Sequence, residues 1–177
     1  MTTVGHTLTA LSLSALSLPQ SRSRRWKAAW TAVFCLFSNL PDFPLPGWGH
    51  TRYDVSHSSV LALVLATLLS AFALVRGVPR GWATRGVVAT AAVAWLSHML
   101  LDSLYNHGRG IAIFWPLSDA HLALPIPWFA TLRLPMRSAH NLRVFAVELA
   151  CYGLLLAVCL AYRRWGRPRE SRPDSLG

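Results

Sequence analysis

The chain has 177 residues, of which 53% are hydrophobic and only 14% are charged, and its mean hydropathy is +0.37. Because an average soluble domain carries about 25% charged residues, this composition argues against an ordinary soluble protein and favours a membrane protein. The 17 Lys and Arg residues exceed the 7 Asp and Glu residues and give a net charge of +10. These cations flank apolar segments, where topology signals and anionic headgroups place them, so we expect membrane lipids as partners and no nucleic acid.

Five apolar segments follow one another along the chain, at residues 4–18, 28–40, 56–75, 86–104 and 144–162. A helix needs about 20 apolar residues to cross a bilayer, and the third segment fits this length best. The first two segments are short, which leaves open whether they span fully. We predict an all-α fold, a polytopic transmembrane helical bundle of about five hydrophobic segments. Residues 1–165 would form one membrane-embedded domain, and residues 166–177 a disordered basic cytoplasmic tail.

Residues 105–143, between the fourth and fifth segments, are rich in proline, tryptophan and histidine. Proline at this density excludes a regular span, whereas tryptophan favours the level of the lipid headgroups. We therefore predict an interfacial loop that lies over a functional site without supplying its primary metal ligands.

The distribution of cations predicts the orientation in the membrane. If the turns after segments one, three and five share a side, that side holds 12 of the 17 Lys and Arg residues. The positive-inside rule then places the N-terminus outside and the C-terminus in the cytoplasm. The same threading brings six ionisable residues to helix ends at the outer face: His6, Asp42, His57, His98, Asp102 and Glu148.

Ionisable residues in apolar segments mark either a function or a paired structural contact. His98 and Asp102 are spaced i, i+4, so a helix presents both on one face. Each residue alone also has a structural explanation, such as a buried histidine–aspartate hydrogen bond for this pair or a turn for Asp42. Together, three histidines and two aspartates suit Zn²⁺, Mn²⁺ or Fe²⁺. We expect donor atoms of at least three of them within about 5 Å of one another.

Short motifs mark the ends of these segments. They are Gly5-His6, Leu40-Pro-Asp42, Ser56-His-Ser58, Ser97-His98 with Leu101-Asp102, and Gly108 or Gly110 ahead of Phe114-Trp-Pro116. In their order and placement, from Gly5 to about Pro116, they resemble the LexA-regulated, membrane-bound metal-dependent hydrolases of bacterial inner membranes. The chain departs from that family at Pro44, where members often carry a second aspartate, and at His50-Thr-Arg52, which lies two residues farther from the Ser-His-Ser motif.

The resemblance implies a hydrolase that uses a water activated by a divalent metal on a lipid-like or phosphoester substrate at the membrane face. Zinc is the first expectation for the metal, with manganese or iron as alternatives. The implied ligands are His6, Asp42, His57, His98 and Asp102. The candidate general bases are Asp54, Asp119 and Glu148, and Arg52 or Arg109 would hold an anionic group of the substrate.

Two other functions remain open at this stage. The first is a non-catalytic metal-binding or structural membrane protein with the same His/Asp cluster. The second is a small transporter, which is disfavoured because the polar residues gather at helix ends on one side and supply no path across the bilayer. The sequence does not specify the oligomeric state.

Overall fold

The computed structural model describes residues 1–47, 49, 53–75, 85–106 and 108–165. These residues form helices and no strand, apart from one isolated bridge between Ile111 and Leu122. The elements in chain order are α1 (Thr3–Ser17), α2 (Arg24–Asn39), a 3₁₀ turn (Leu40–Asp42), α3 (Tyr53–Ser56), α4 (Ser59–Val75), α5 (Arg85–Ser103) and α6 (Ala139–Trp165). The all-α prediction is therefore correct, and a helix occupies each of the five predicted apolar segments.

The predicted bundle of about five membrane spans is wrong. Among the described residues only α6, with 27 residues, is long and apolar enough to cross a membrane. Helices α1, α2 and α4 have 15, 16 and 17 residues. At 1.5 Å per residue they extend about 22–26 Å, which is shorter than the roughly 30 Å hydrocarbon core. The multi-pass arrangement inferred from that number has no support, and the orientation of the termini stays a prediction.

Irregular chain connects α5 to α6, as the proline content of this segment predicted. The predicted loop extended to residue 143, but α6 already begins at Ala139. The reason is a cap, since the hydroxyl of Ser138 accepts the backbone N–H of Asn141 at 3.2 Å and starts the helix ahead of the apolar run. The predicted tail, residues 166–177, lies outside the described residues.

Helix α1 is the central helix of the fold and packs against α2, α5 and α6. Thr2 caps its start by accepting the backbone N–H of Val4 at 3.2 Å. Its buried face consists mainly of small side chains, which let the backbones of neighbouring helices approach closely. The buried residues are Gly5, His6, Thr9, Ala10, Ser12, Ser14 and Ala15.

The directions of the helices bring their polar ends to one end of the fold. Helix α2 runs antiparallel to α1, because Ser14 lies against Thr31 while the hydroxyl of Ser38 donates to the carbonyl of His6. The end of α5 meets the end of α2 through His98 and Ser38. Pro41 follows α2 and continues the chain as a 3₁₀ turn that carries Asp42 to the same place.

Substitution of Gly5 by alanine tests the close packing of α1 against α6. A Cβ at Gly5 would lie 3.0 Å from Oε2 of Glu148 and 2.8 Å from Sδ of Met1. Met1 can move aside, but the Glu148 carboxyl is held by hydrogen bonds. We expect Gly5→Ala to lower the free energy of unfolding by about 1–2 kcal/mol in detergent micelles. The control is Gly153→Ala, which meets nothing within 4 Å and should stabilise α6 slightly. Equal stability of the two variants would contradict this packing.

Candidate metal centre

Three imidazole rings converge on the carboxylate of Asp102. Nε2 of His6 lies 3.2 Å from Oδ1 of Asp102, and Nε2 of His57 and of His98 each lie 3.5 Å from Oδ2. The two atoms Nε2 of His57 and His98 are 3.0 Å apart. One donor atom from each of His6, Asp42, His98 and Asp102 lies within 4.8 Å of the others. The expected convergence of at least three of these residues is confirmed.

Asp42 closes the cluster from the end of α2. Its carboxylate oxygens lie 3.5 Å from Nε2 of His57, 3.7 Å from Nε2 of His98 and 3.9 Å from Nε2 of His6. Metal–ligand bonds of about 2.0–2.1 Å place neighbouring donors roughly 3.0–3.4 Å apart around one cation. The shorter spacings are close to this range, so His6, Asp42, His98 and Asp102 form a group that fits one cation, and Nε2 of His57 lies 3.0 Å from Nε2 of His98 at its edge. Metal binding itself stays a prediction.

The Nδ1 atoms of His98 and His57, which face away from the cluster, each have a hydrogen-bond partner. Nδ1 of His98 donates to the carbonyl oxygen of Ser38 at 2.7 Å, which leaves the lone pair of the neutral ring on Nε2, facing the cluster. Nδ1 of His57 hydrogen-bonds to the hydroxyl of Ser56 at 2.8 Å. Such contacts orient the imidazoles of metal sites. Sequence reasoning missed Ser38, because it acts through a backbone carbonyl that no side-chain pattern reveals.

His6 differs from the other two histidines. It is fully buried, and neither ring nitrogen has a hydrogen-bond partner among the described residues. Its 3.2 Å approach to Asp102 lacks the angle of a hydrogen bond, and its ring stacks on that of His98 with centroids 3.7 Å apart. A buried polar group without a partner costs free energy. A cation between the imidazoles and carboxylates would satisfy Nε2, so the donor set fits a divalent metal.

The charges of the cluster favour a cation at this position. Burial by itself would raise the pKa of Asp42, but the ring of His57, whose Nε2 lies 3.5 Å from Oδ1, holds that pKa below its usual value. Burial by itself would lower the pKa of His57, whereas the carboxylates of Asp102 and Asp42, each 3.5 Å from Nε2, raise it above its usual value. The amino group of Met1 also pairs with Oδ1 of Asp102 at 2.6 Å. The two carboxylates thus stabilise positive charge among the rings.

A cavity of about 390 Å³ is lined by Tyr53, a residue that contacts the cluster, and by none of the five cluster residues. Tyr53 connects the two, because its hydroxyl donates to Oδ2 of Asp102 at 3.2 Å and its ring stacks on that of His57 at 3.7 Å. The side chain of Asp42 keeps 19% exposure, while those of the other four cluster residues are almost fully buried. The cavity is lined by Tyr53, Asp54, Arg109, Gly110, Ala112 and His121. Sequence analysis gave Tyr53 no role at this site and placed His121 only within the loop predicted to lie over it.

The loop after α5 lies beside the cluster and is fastened to the start of α4. Ser58 donates its hydroxyl to the carbonyl of Trp115, and Ser59 donates its backbone N–H to the carbonyl of Ile113 at 2.8 Å. Gly110 fits the loop because its φ is +83° and a Cβ there would lie 2.4 Å from the carbonyl oxygen of Leu122.

The described histidines of this loop region do not join the cluster. The ring of His121 hydrogen-bonds to the carbonyl of Asp119 at 2.7 Å, and the ring of His140, at the start of α6, to that of Thr131 at 2.9 Å. Of the charged residues suggested for catalysis, Asp54 and Arg109 line the cavity, while Asp119 is exposed and does not line it. Glu148 is buried against the start of α1, and Arg52 lies outside the described residues.

Comparison with known proteins identifies one protein family whose model matches almost the whole chain. The protein-family model described as YdjM inner membrane protein matches residues 1–166, which include every candidate site residue and the whole of α6. No curated protein and no solved structure matches the chain.

Proposed function

Because the chain belongs to the YdjM inner membrane protein family, we propose that it works at that membrane as one of the LexA-regulated, metal-dependent hydrolases that its sequence resembles. The observation that carries this proposal is the cavity that Tyr53 connects to the His/Asp cluster. A metal site that only stabilises a fold is closed by protein ligands, whereas a catalytic site keeps one side open to substrate. Here Tyr53 contacts the cluster and lines a cavity together with Asp54 and Arg109, and Asp42 is partly exposed.

The ligands of the proposed metal are His6, Asp42, His57, His98 and Asp102. A divalent ion in this site would lower the pKa of a water toward neutrality and polarise a phosphoryl or acyl oxygen. Zinc suits three imidazoles and two carboxylates, and manganese or iron are the alternatives. Tyr53 holds Asp102 in place through its hydroxyl group.

The residues of the cavity provide the remaining chemistry. The guanidinium of Arg109 binds an anionic group of the substrate, and the carboxylate of Asp54 accepts a proton from the attacking water. The substrate is a lipid-like phosphoester or ester, since large apolar side chains of the same loop are exposed. Leu117 is 80% exposed and Trp128 is 61% exposed, and both suit the lipid interface.

We propose that the cluster lies on the outer face of the membrane. Helix α1 runs parallel to α6, because Thr2 lies against Glu148 and Ala15 against Arg163, so both helices begin on the same face. Arginines end α6 and continue beyond it, which favours a cytoplasmic C-terminus. A phosphatase reporter fused after residue 177 should therefore be inactive, and an active reporter would contradict this orientation.

Metal binding is the first test of the proposed function. We expect the purified protein to bind about one divalent ion per chain, with Zn²⁺ tighter than Mn²⁺. His98→Ala should weaken binding by at least about 100-fold, because a direct ligand matters more than the contacts around it. His140→Asn is the matched control. The ring of His140 hydrogen-bonds to the carbonyl of Thr131 and lies outside the cluster. Equal affinities of the two variants would contradict the proposed ligand set.

Hydrolysis is the second test, with mixed micelles of a phosphatidic acid and with a p-nitrophenyl ester as probes. We expect metal-dependent release of phosphate or nitrophenol. Arg109→Ala should raise KM about 10-fold by removing the anion contact, and Asp54→Asn should lower kcat about 100-fold by removing the base. Arg133→Ala, an exposed position in the same loop, is the control. A protein that binds metal but cleaves neither class of probe would instead be a non-catalytic metal-binding membrane protein.

A further inference from the structure

Glu148 is a fully buried carboxyl group in the N-terminal half of the apolar helix α6. Its Oε1 accepts the backbone N–H of Thr2 at 2.8 Å. Its Oε2 accepts the hydroxyl of Thr2 at 2.5 Å and the backbone N–H of Gly5 at 3.3 Å. Burial of a carboxyl group is costly unless hydrogen bonds satisfy it, and here both oxygens are satisfied by the first turn of α1.

This contact fixes the backbone that carries His6. Gly5 directly precedes His6, and the N–H of His6 donates to the carbonyl oxygen of Thr2 at 3.2 Å. Glu148 therefore binds Thr2, which begins this turn of α1, and Gly5, which directly precedes His6. From the other side, the hydroxyl of Ser38 donates to the carbonyl oxygen of His6 at 2.9 Å.

His6 depends on this support more than the other histidines of the cluster. The rings of His57 and His98 are oriented by Ser56 and Ser38, whereas the ring of His6 has no hydrogen-bond partner among the described residues. The position of its Nε2 is therefore determined by its backbone and by stacking on His98.

We infer that Glu148 is a positioning residue, which fixes the start of α1 so that His6 reaches the metal. The inference rests on the proposed function and gives Glu148 a role different from the general base suggested by the sequence. The opposite end of the same two helices provides a control. There Arg163 donates to the carbonyl oxygen of Ala15 at 2.9 Å, so it also joins α6 to α1 but lies a whole helix away from His6.

The test is a double-mutant cycle on the full-length protein in detergent, with Co²⁺ and Zn²⁺ affinity as the measurement. We expect Glu148→Gln and His6→Ala each to weaken binding about 10- to 100-fold. The double variant should be no weaker than His6→Ala, because Glu148 acts through His6. Arg163→Gln should lose thermal stability but keep the affinity of the wild type. Additive losses in the double variant, or equal losses in Glu148→Gln and Arg163→Gln, would overturn the inference.

A second measurement needs no metal. Diethylpyrocarbonate modifies accessible imidazoles, and mass spectrometry gives the rate at His6 in the metal-free protein. We expect His6 to react at least about 5-fold faster in Glu148→Gln than in the wild type or in Arg163→Gln, because opening of the first turn exposes a ring that is otherwise buried. Equal rates would overturn the inference. A wild type that binds no metal would overturn the proposed function alone, since these rates still decide the role of Glu148.

If Glu148→Gln does not fold, Thr2→Val tests the same inference. It removes one of the three hydrogen bonds to Glu148 and also the hydroxyl that caps α1, while Thr2→Ser keeps both. We expect Thr2→Val to increase the reaction rate of His6 and to weaken Zn²⁺ binding, and Thr2→Ser to match the wild type. Identical behaviour of Thr2→Val and Thr2→Ser in both measurements would overturn the inference.

Discussion

The contact of one carboxylate with three imidazoles is the interaction on which this fold depends. Asp102 lies at the end of α5 and reaches histidines from α1, α5 and the turn before α4, all buried from solvent. Buried charge without a partner costs several kcal/mol. The helix ends must therefore meet at one place, and the α2 end joins them through Ser38 and Asp42. The arrangement of side chains that a metal site needs is therefore the same arrangement that gives the buried carboxylate of Asp102 its partners.

Helix α6 is both the candidate membrane span and the support for α1. A carboxyl group, Glu148, meets the N-terminus of α1, and a guanidinium, Arg163, meets its last carbonyls. Both charges complement the dipole of α1, whose positive end is the N-terminus. Since α1 is too short to cross a bilayer and has mostly small buried residues, it depends on its neighbours for position. This explains how a 15-residue helix can hold His6 accurately at its start.

The error in the number of spans has a physical cause. A helix packed against other helices and a helix packed against lipid both require apolar side chains, so hydrophobicity alone cannot separate the two environments. Length separates them only for the first two segments, at 4–18 and 28–40, which were already short. The long helix is recognisable because it continues at both ends beyond its apolar run, from a serine cap at Ser138 to the arginines at 163 and 164.

The sequence by itself determined the all-α class, the position of each main helix and the pairing of His98 with Asp102, because apolar runs, prolines and an i, i+4 spacing are local signals. The gathering of His6, Asp42 and His57 with that pair was predicted from the alternating direction of successive helices, which places every second helix end on one side. Only the tertiary structure decided which partners surround these residues. Ser38 contributes a backbone carbonyl, Tyr53 reaches Asp102 from a separate helix, and Glu148 meets Thr2 across most of the chain length. Such contacts depend on the relative placement of helices, which packing sets and which no spacing along one segment encodes.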